Sequence, residues 1–584
     1  MLISTISVAV PIRYKDVKVN YMHKRIIFFW LLFLLFVTSN PNQTFGAAEE
    51  PLTEYQIASL AVLGKVWGFF KYYHPRVTKG QYNWDSVLIA KLPVFHSAKN
   101  PQELNDCMLN LLNELGQVDT CFQCDNTLSG RISWNFDTAW ISNSGFRSDV
   151  KSKLQFILAN RSQGENFYVA YGSSDQVKVT NEAAYYSRDF QFPSPDYRLL
   201  TLFRYWNIVN YFSPYKYITS KKWDRVLNEF IPVFYEAKDA LQYHVSILKL
   251  IGALEDGHNA ISWTTPLLKF IGEYKNVPFL CSIVDGKAVV TLITNDSLCK
   301  SQGIALNDVI IAIDGETIEE RINKYLPYVY NASNREYSLQ SLCSVYLFAG
   351  KTGTCEITRL TLNGDSEKLT IKRYNHSLPY NDPPAPASWK VLRDNIGYID
   401  MGQLLPKDVN AVMDSLSSTK AIIIDLRNYP QNTWMAIAAR LCSGKFLMGR
   451  LTYPDLSYPG IFKYYPDRLA GNENKQPYKG KVILLVNVFS KSHSEFSAMG
   501  LQAATKTITI GSTTAGAEGD IVDWITLPGG FKTRFSGLGV YYPDGTVAQR
   551  KGVKIDIICK PTIKGLQLGK DELIETAVKV ITQK

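Results

Sequence analysis

Apolar positions recur at helical spacing from residue 60 onward, with Leu60, Leu63, Val66, Trp67 and Phe70 on one face. The pattern then repeats. Residues 60 to 115 align without a gap to residues 199 to 254: Trp67 matches Trp206, Tyr72 Tyr211, Pro75 Pro214, Trp84-Asp85 Trp223-Asp224, and Pro93-Val94-Phe95 Pro232-Val233-Phe234. This predicts two copies of a small helical unit, at residues 49–124 and 191–265. Each is broken at His74-Pro75 or Ser213-Pro214 and buries its shared aromatic residues. Between the copies, residues 125–190 mix short apolar runs with Ser, Asn and Gly clusters and read as a connecting region with a few strands. Short strand-like runs separated by turn signals, such as Ala288 to Ile293 and Val309 to Ile313, predict a small β-rich domain at 266–380. From about residue 389 the strands become continuously apolar: Ile396 to Ile399, Ala421 to Leu426, Val482 to Val488 and Thr507 to Ile510. Strands buried on both faces and alternating with helices predict a largely parallel sheet at 381–584. The fold class expected is multidomain α/β.

The length of 584 residues suits about four domains at roughly 150 residues each. With 46% hydrophobic and 20% charged residues, long disorder, collagen-like sequence and coiled coil are excluded. His23-Lys24-Arg25 precedes an unbroken apolar run of twelve residues, Ile26 to Val37, and then Gly46-Ala47-Ala48. Twelve residues rise about 18 Å as a helix, short of a hydrocarbon core of about 30 Å. They fit a secretory signal cleaved near Ala48. Residues 1–48 are therefore assigned to export, with translation expected to begin at Met22 and the mature chain, free of integral membrane segments, in the periplasm or envelope. No cysteine follows the apolar run until Cys107, so a lipid anchor is not expected. The formal charge is +10, and the five Lys/Arg and one Asp of residues 1–48 leave +6 without them, with no basic run of five or more. A nucleic-acid partner is not expected. Nine cysteines form no disulfide framework, and Cys121 and Cys124 read as a structural pair rather than a metal or redox site.

Two places carry candidate chemistry. In the extended repeat, Gln117-Val118-Asp119 falls opposite Asp256-Gly257-His258, so one copy has a histidine where the other has none. A structural reading makes Gly257 the left-handed residue of a helix C-terminus and His258 its dipole partner. The second place is Ser492-His493-Ser494-Glu495, at the turn from the strand ending at Val488 into a helix. Ser492 and Glu495 can form a capping box. The same position suits a nucleophile, whose oxyanion the next amide and the helix dipole stabilise. The residues alone leave both readings open.

The stretch Ser301 to Gly315, with an Asp314-Gly315 hairpin turn, resembles a PDZ domain of the bacterial-protease type, which implies an extended-peptide groove. The order of a helical region, this module, then Ser492-His493-Ser494-Glu495, Gly511 to Gly516 and Gly537 to Gly545 resembles the C-terminal processing (tail-specific) serine peptidases, in the tricorn-related branch. The resemblance covers roughly residues 195–584. It implies a core fold shared with Clp protease and crotonase, Ser492 as nucleophile and the His493 amide as an oxyanion donor. The lysine of the Ser-Lys branch would stand at Ala517, so the dyad is absent. Tricorn-like relatives use a histidine from the helical part, which implies His258 as base, with His493 as rival. For the carboxylate that orients the imidazole the choice is Glu518, with Asp520 and Asp544 as alternatives. After Asp425-Leu426-Arg427-Asn428-Tyr429-Pro430 the family often has Gly-Gly; here the amides of Gln431 or Asn432 would complete the oxyanion hole. The expectation is an exported serine endopeptidase of Ser/His type acting on unfolded or C-terminally presented polypeptides, without metal or cofactor. The competing expectation is a non-catalytic envelope peptide-binding scaffold. A crotonase-like acyl transferase is disfavoured by the signal segment and the peptide-binding module.

Overall fold

The helices of the duplicated unit form where the apolar periodicity and the prolines put them. The computed structural model describes residues 51–186, 188–272, 275–361, 364–374 and 386–583; the signal segment read at residues 1–48 lies outside them. In the first copy α1 (Glu54–Tyr73) starts at a Thr53/Gln56 capping box and stops at extended His74, before Pro75. It is followed by α2 (Trp84–Ser97) and α3 (Pro101–Leu115). The second copy repeats this as α4 (Pro195–Phe212), stopping at Ser213 before Pro214, then α5 (Trp223–Tyr235) and α6 (Ala240–Gly252).

The matched tryptophans explain why the repeat is legible. In each copy the two indoles exchange hydrogen bonds: Trp67 Nε1 donates to the Trp84 carbonyl and Trp84 Nε1 to that of Trp67, both at 2.9 Å. Trp206 and Trp223 do the same at 2.8 and 3.0 Å. These buried polar atoms need partners, so the pair is retained as a unit. Across the copies, Lys65 pairs with Asp224 at 2.7 Å and the buried Arg204 with Asp85 at 2.5 Å. Lys65 corresponds to Arg204 in the repeat and Asp85 to Asp224, so the two copies meet face to face with a local two-fold relation.

The connecting region departs from expectation. Among the described residues, 125–190 hold helices Ala139–Asn143 and Ser148–Ala159 and one short strand pair, Val169–Tyr171 with Val177–Val179. Val150, Leu154 and Ile157 are buried at helical spacing, a signal the surrounding Ser, Asn and Gly obscured.

The chain leaves α6 through a strap ending in β1 (Ala260–Ile261). The middle module then folds as an antiparallel sheet, β2 (Phe279–Val284), β3 (Lys287–Ile293), β4 (Val309–Ile313), β5 (Thr354–Leu360) and β6 (Ser366–Lys372), paired in that order. The turn read at Asp314-Gly315 follows β4 with both φ values positive, 51° and 80°, as a type I′ hairpin requires. Helix α7 (Arg335–Val345) packs on β2.

The C-terminal sheet runs β7 (Trp389–Leu392), β8 (Ile396–Asp400), β9 (Ala421–Asp425), β10 (Lys481–Val486) and β11 (Thr507–Gly511), closing on Ile557–Ile558. Every pair after the antiparallel β7/β8 pair is parallel. Strands β8 and β9 are buried along their whole length, which is why they read as unbroken apolar runs. Helix α8 (His493–Ala504) returns from β10. Further on, β12 (Ile525–Thr526) and β13 (Lys532–Arg534) extend away from this sheet, and β13 pairs with β1 of the helical part in the register Thr533 to Ile261 and Arg534 to Ala260. Val522, Ile525, Phe531 and Phe535 join the core of the helical units. Residues 51–584 accordingly form one compact unit, and the boundary drawn at residue 265 is crossed by a shared sheet and a shared core. Among the described residues no helix is long and apolar enough to cross a membrane.

Candidate active site

The turn after β10 is tied down before it reaches Ser492. The hydroxyls of Ser490 and Ser494 both donate to the Leu426 carbonyl, at 2.7 and 2.6 Å, fixing the turn to the C-terminal end of β9. Ser492 itself adopts φ 53°, ψ −115°. An ordinary N-cap is extended, and a non-glycine residue in this region carries about 1–3 kcal/mol of strain. The capping box is present: the Glu495 carboxylate accepts from the Ser492 amide at 3.2 Å. The same buried carboxylate accepts from the Thr514 hydroxyl at 2.5 Å and from the Gly516 and Ala517 amides at 2.7 and 2.9 Å. Burial pushes Glu495 up and these four donors oppose the shift. Glu495 therefore does more than cap α8; it fastens residues 514–517 beneath the strained serine. The His493 amide donates to no protein acceptor among the described residues. Burial raises the pKa of the Tyr429 phenol, and the Ser492 side chain close to it opposes the shift.

Facing this turn is the strap after α6. Glu255, at φ 53°, takes the left-handed conformation; Gly257 does not, which corrects the structural reading of that glycine. The His258 Nδ1 atom lies 2.9 Å from the Ser536 hydroxyl. That hydroxyl donates to Asp256 Oδ1 at 3.0 Å, while the Ser536 amide donates to Oδ2 at 2.8 Å. The His258 amide and Gln549 Nε2 also donate to Oδ1, at 2.8 and 3.3 Å. A hydroxyl has one proton. Because Ser536 gives its proton to Asp256, it accepts from His258, so Nδ1 is protonated and Nε2 presents a lone pair. Burial pushes the Asp256 carboxyl above the usual range, opposed by these donors. Burial holds the imidazole well below its usual value of 6.5, and the nearby Lys491 and Arg534 charges lower it further.

Ala517 joins the two halves. Its carbonyl accepts from the Ser492 amide at 3.1 Å, and its side chain is fully buried. A Cβ placed on Gly257 would lie 2.7 Å from the Ala517 methyl and 2.8 Å from Ser333 Oγ. The Ala517 methyl thus lies against the histidine strap, and Gly257 has no room for a side chain. Among the described residues no direct hydrogen bond joins Ser492 to His258, and such bonds commonly tighten only when substrate is bound. Replacing Gly257 with alanine should push the strap away from Ala517 and cost about 1–3 kcal/mol of stability. Thermal unfolding should show that loss.

The remaining expected site residues divide. Glu518 is buried, but its amide bonds to Gln549 Oε1 at 2.7 Å and its Oε1 has no partner. Burial, then the neighbouring Glu495, push its carboxyl far above the usual range. It makes no hydrogen bond to His258 among the described residues; Asp256, through Ser536, is the carboxylate linked to the imidazole, in place of the expected Glu518. Asp520 is exposed, and Asp544 is spent on its own turn, bonding Thr546 and Lys554. The His493 ring packs beside Phe496 and Tyr429, with Nε2 buried and unpartnered. The Gln431 amide is committed to the Met401 carbonyl at 3.0 Å, which removes it as an oxyanion donor. Asn432, at φ 59°, leaves its amide without a protein partner among the described residues. Cys121 and Cys124 form a disulfide, and no described cluster of His, Cys, Asp and Glu could hold a metal.

Comparison with known proteins places this geometry in context. Residues 395–559 match the family model described as Peptidase family S41. No curated protein matches the chain. Among solved structures the chain is similar to mature CPAF, at 12% identity and TM-score 0.51 over 66% of this chain and 96% of that one. It is likewise similar to mature CPAF complexed with lactacystin, at 13% identity and TM-score 0.50, over 66% and 98%. At such identities the likeness shows a common fold.

Proposed function

From the premise that residues 395–559 are a peptidase family S41 domain, we propose that this protein is an exported serine endopeptidase of Ser/His type that hydrolyses unfolded or C-terminally presented polypeptides. The observation that carries the reading is the chain of hydrogen bonds from Asp256 through Ser536 to His258, facing a strained Ser492 across Ala517.

In this mechanism His258 Nε2 takes the Ser492 proton as Oγ attacks the scissile carbonyl carbon. The negative oxygen of the tetrahedral intermediate is met by the free amides of His493 and Asn432. The intermediate collapses, the imidazolium gives its proton to the leaving amine, and the acyl group stays on Ser492. A water, deprotonated by the same imidazole, then releases the acid. Asp256 and Ser536 hold the ring in the tautomer that leaves Nε2 free. The middle module, whose β2 lies at the sheet edge against α7, would present the peptide by strand addition.

The test is digestion of a permanently unfolded polypeptide by the purified mature chain, with fragments identified by mass spectrometry. The reading requires fragments from wild type and none from Ser492→Ala. A chain that binds the polypeptide without cutting it would instead be the non-catalytic scaffold.

The pH profile follows from the buried imidazole. Activity needs neutral His258, and its pKa is held well below 6.5. The rate is therefore retained as pH falls through 6.5 and is lost only below the depressed value. A kcat/KM profile with its acid limb centred at or above pH 6.5 would contradict this assignment.

A further inference from the structure

Two cations stand beside His258 without an anion. Lys491 immediately precedes Ser492; its ammonium donates to the Tyr337 hydroxyl at 2.8 Å and lies 4.9 Å from that ring. Arg534 lies on β13, opposite Ala260, two residues beyond His258. It also stands two residues before Ser536, so the alternation of side chains along an extended chain sets Arg534 and Ser536 toward the same side. The guanidinium sits over the Trp524 ring at 4.7 Å, and its Nε is buried without a hydrogen-bond partner. Neither Arg534 nor Lys491 forms an ion pair among the described residues. The buried Arg204, by contrast, contacts both Asp85 and Glu182. A partly desolvated guanidinium without a carboxylate is costly, and its fork matches a carboxylate in two-point contact. Burial lowers the Arg534 pKa with no acidic neighbour to restore it.

Resting on the peptidase reading above, we propose that Arg534 and Lys491 form a carboxylate-recognising pair beside His258, so that favoured substrates carry an acidic group close to the bond cut. That group is an Asp or Glu side chain or the terminal carboxylate of the polypeptide. Trp524, 44% exposed, supplies an apolar wall on which Arg534 is already oriented, which lowers the entropy lost on binding.

The test uses the full chain carrying Ser492→Ala and three alanine-rich decapeptides with a fluorophore at the N-terminus. One has a single Glu and an amidated C-terminus, one has Gln and the amide, and one has Gln and a free terminal carboxylate. Fluorescence anisotropy should show at least one carboxylate peptide binding about tenfold more tightly than the neutral one, and which one does so identifies the source of the carboxylate. Adding Arg534→Gln should reduce that preference to about twofold or less, with thermal unfolding as the control for folding. Lys491→Met, at a half-buried turn position, should reduce it about threefold and carries the test if Arg534→Gln does not fold. Equal binding of all three peptides, or a preference that survives both substitutions, overturns the proposal. Wild-type digestion of an unfolded polypeptide keeps the two readings apart. Cleavage without carboxylate preference removes only the pair, whereas carboxylate preference without cleavage keeps the pair and removes the peptidase.

Discussion

Ser492→Ala and His258→Ala should each lower kcat for peptide hydrolysis by about 10⁴-fold or more, and the double variant should be no worse than either alone. The reason is that the two side chains act as one unit: an alkyl hydroxyl is a poor nucleophile until a base takes its proton, and the base has no other task. The residual rate in each variant belongs to the oxyanion donors and to substrate positioning. Neither residue is part of a hydrophobic core, so thermal unfolding should change little. The pairing of β13 with β1 brings the His258 strap to the C-terminal part of the chain. Substitutions that weaken this seam should therefore lower kcat with both catalytic side chains intact.

Asp256→Asn should cost about 10²–10⁴-fold in kcat with a much smaller change in KM. The loss comes from direction rather than charge alone. An ionised Asp256 accepts the Ser536 proton, so Ser536 accepts from His258 Nδ1. An asparagine amide turned toward Ser536 would donate instead, and Ser536 would then give its own proton to Nδ1. That moves the imidazole proton to Nε2, where a base is needed. Ser536→Ala breaks the same relay without reversing it and should cost less than Asp256→Asn. A full loss from Asp256→Asn beside no loss from Ser536→Ala would show that Asp256 acts by charge at a distance and not through the hydroxyl.

How much of this could be read beforehand depended on how local each signal was. The repeat was legible because the reciprocal indole bonds and the exchanged Lys65/Arg204 pairs require particular residues at matched positions. The strands of the parallel sheet were legible because burial on both faces leaves no polar interruption. Ser492 and His258 stood out through a turn motif and through a mismatch between the copies. Asp256 stands two residues from His258, but in the sequence the glutamate beside the vacant lysine position has the stronger positional claim. Glu518 is set aside because its carboxylate makes no hydrogen bond toward His258 among the described residues, whereas Asp256 is linked to the ring through Ser536. Ser536 carried no local signal, since its function arises from the pairing of β13 with β1, far apart in the chain. Gln431 was lost as an oxyanion donor for a similar reason: the Met401 carbonyl claims its amide. The role of Ala517 became visible only when Gly257 was found packed against its methyl group.

The central claim is that His258 activates Ser492, and a serine-reactive fluorophosphonate tests it directly. Intact-protein and peptide mass spectrometry would follow the rate of adduct formation on the mature wild-type chain and on His258→Ala at pH 7. The account predicts a single adduct on Ser492 in the wild type and a rate reduced at least a hundredfold in His258→Ala. Adduct formation at Ser492 that proceeds equally fast without His258, or a folded wild-type chain that forms none, would contradict it.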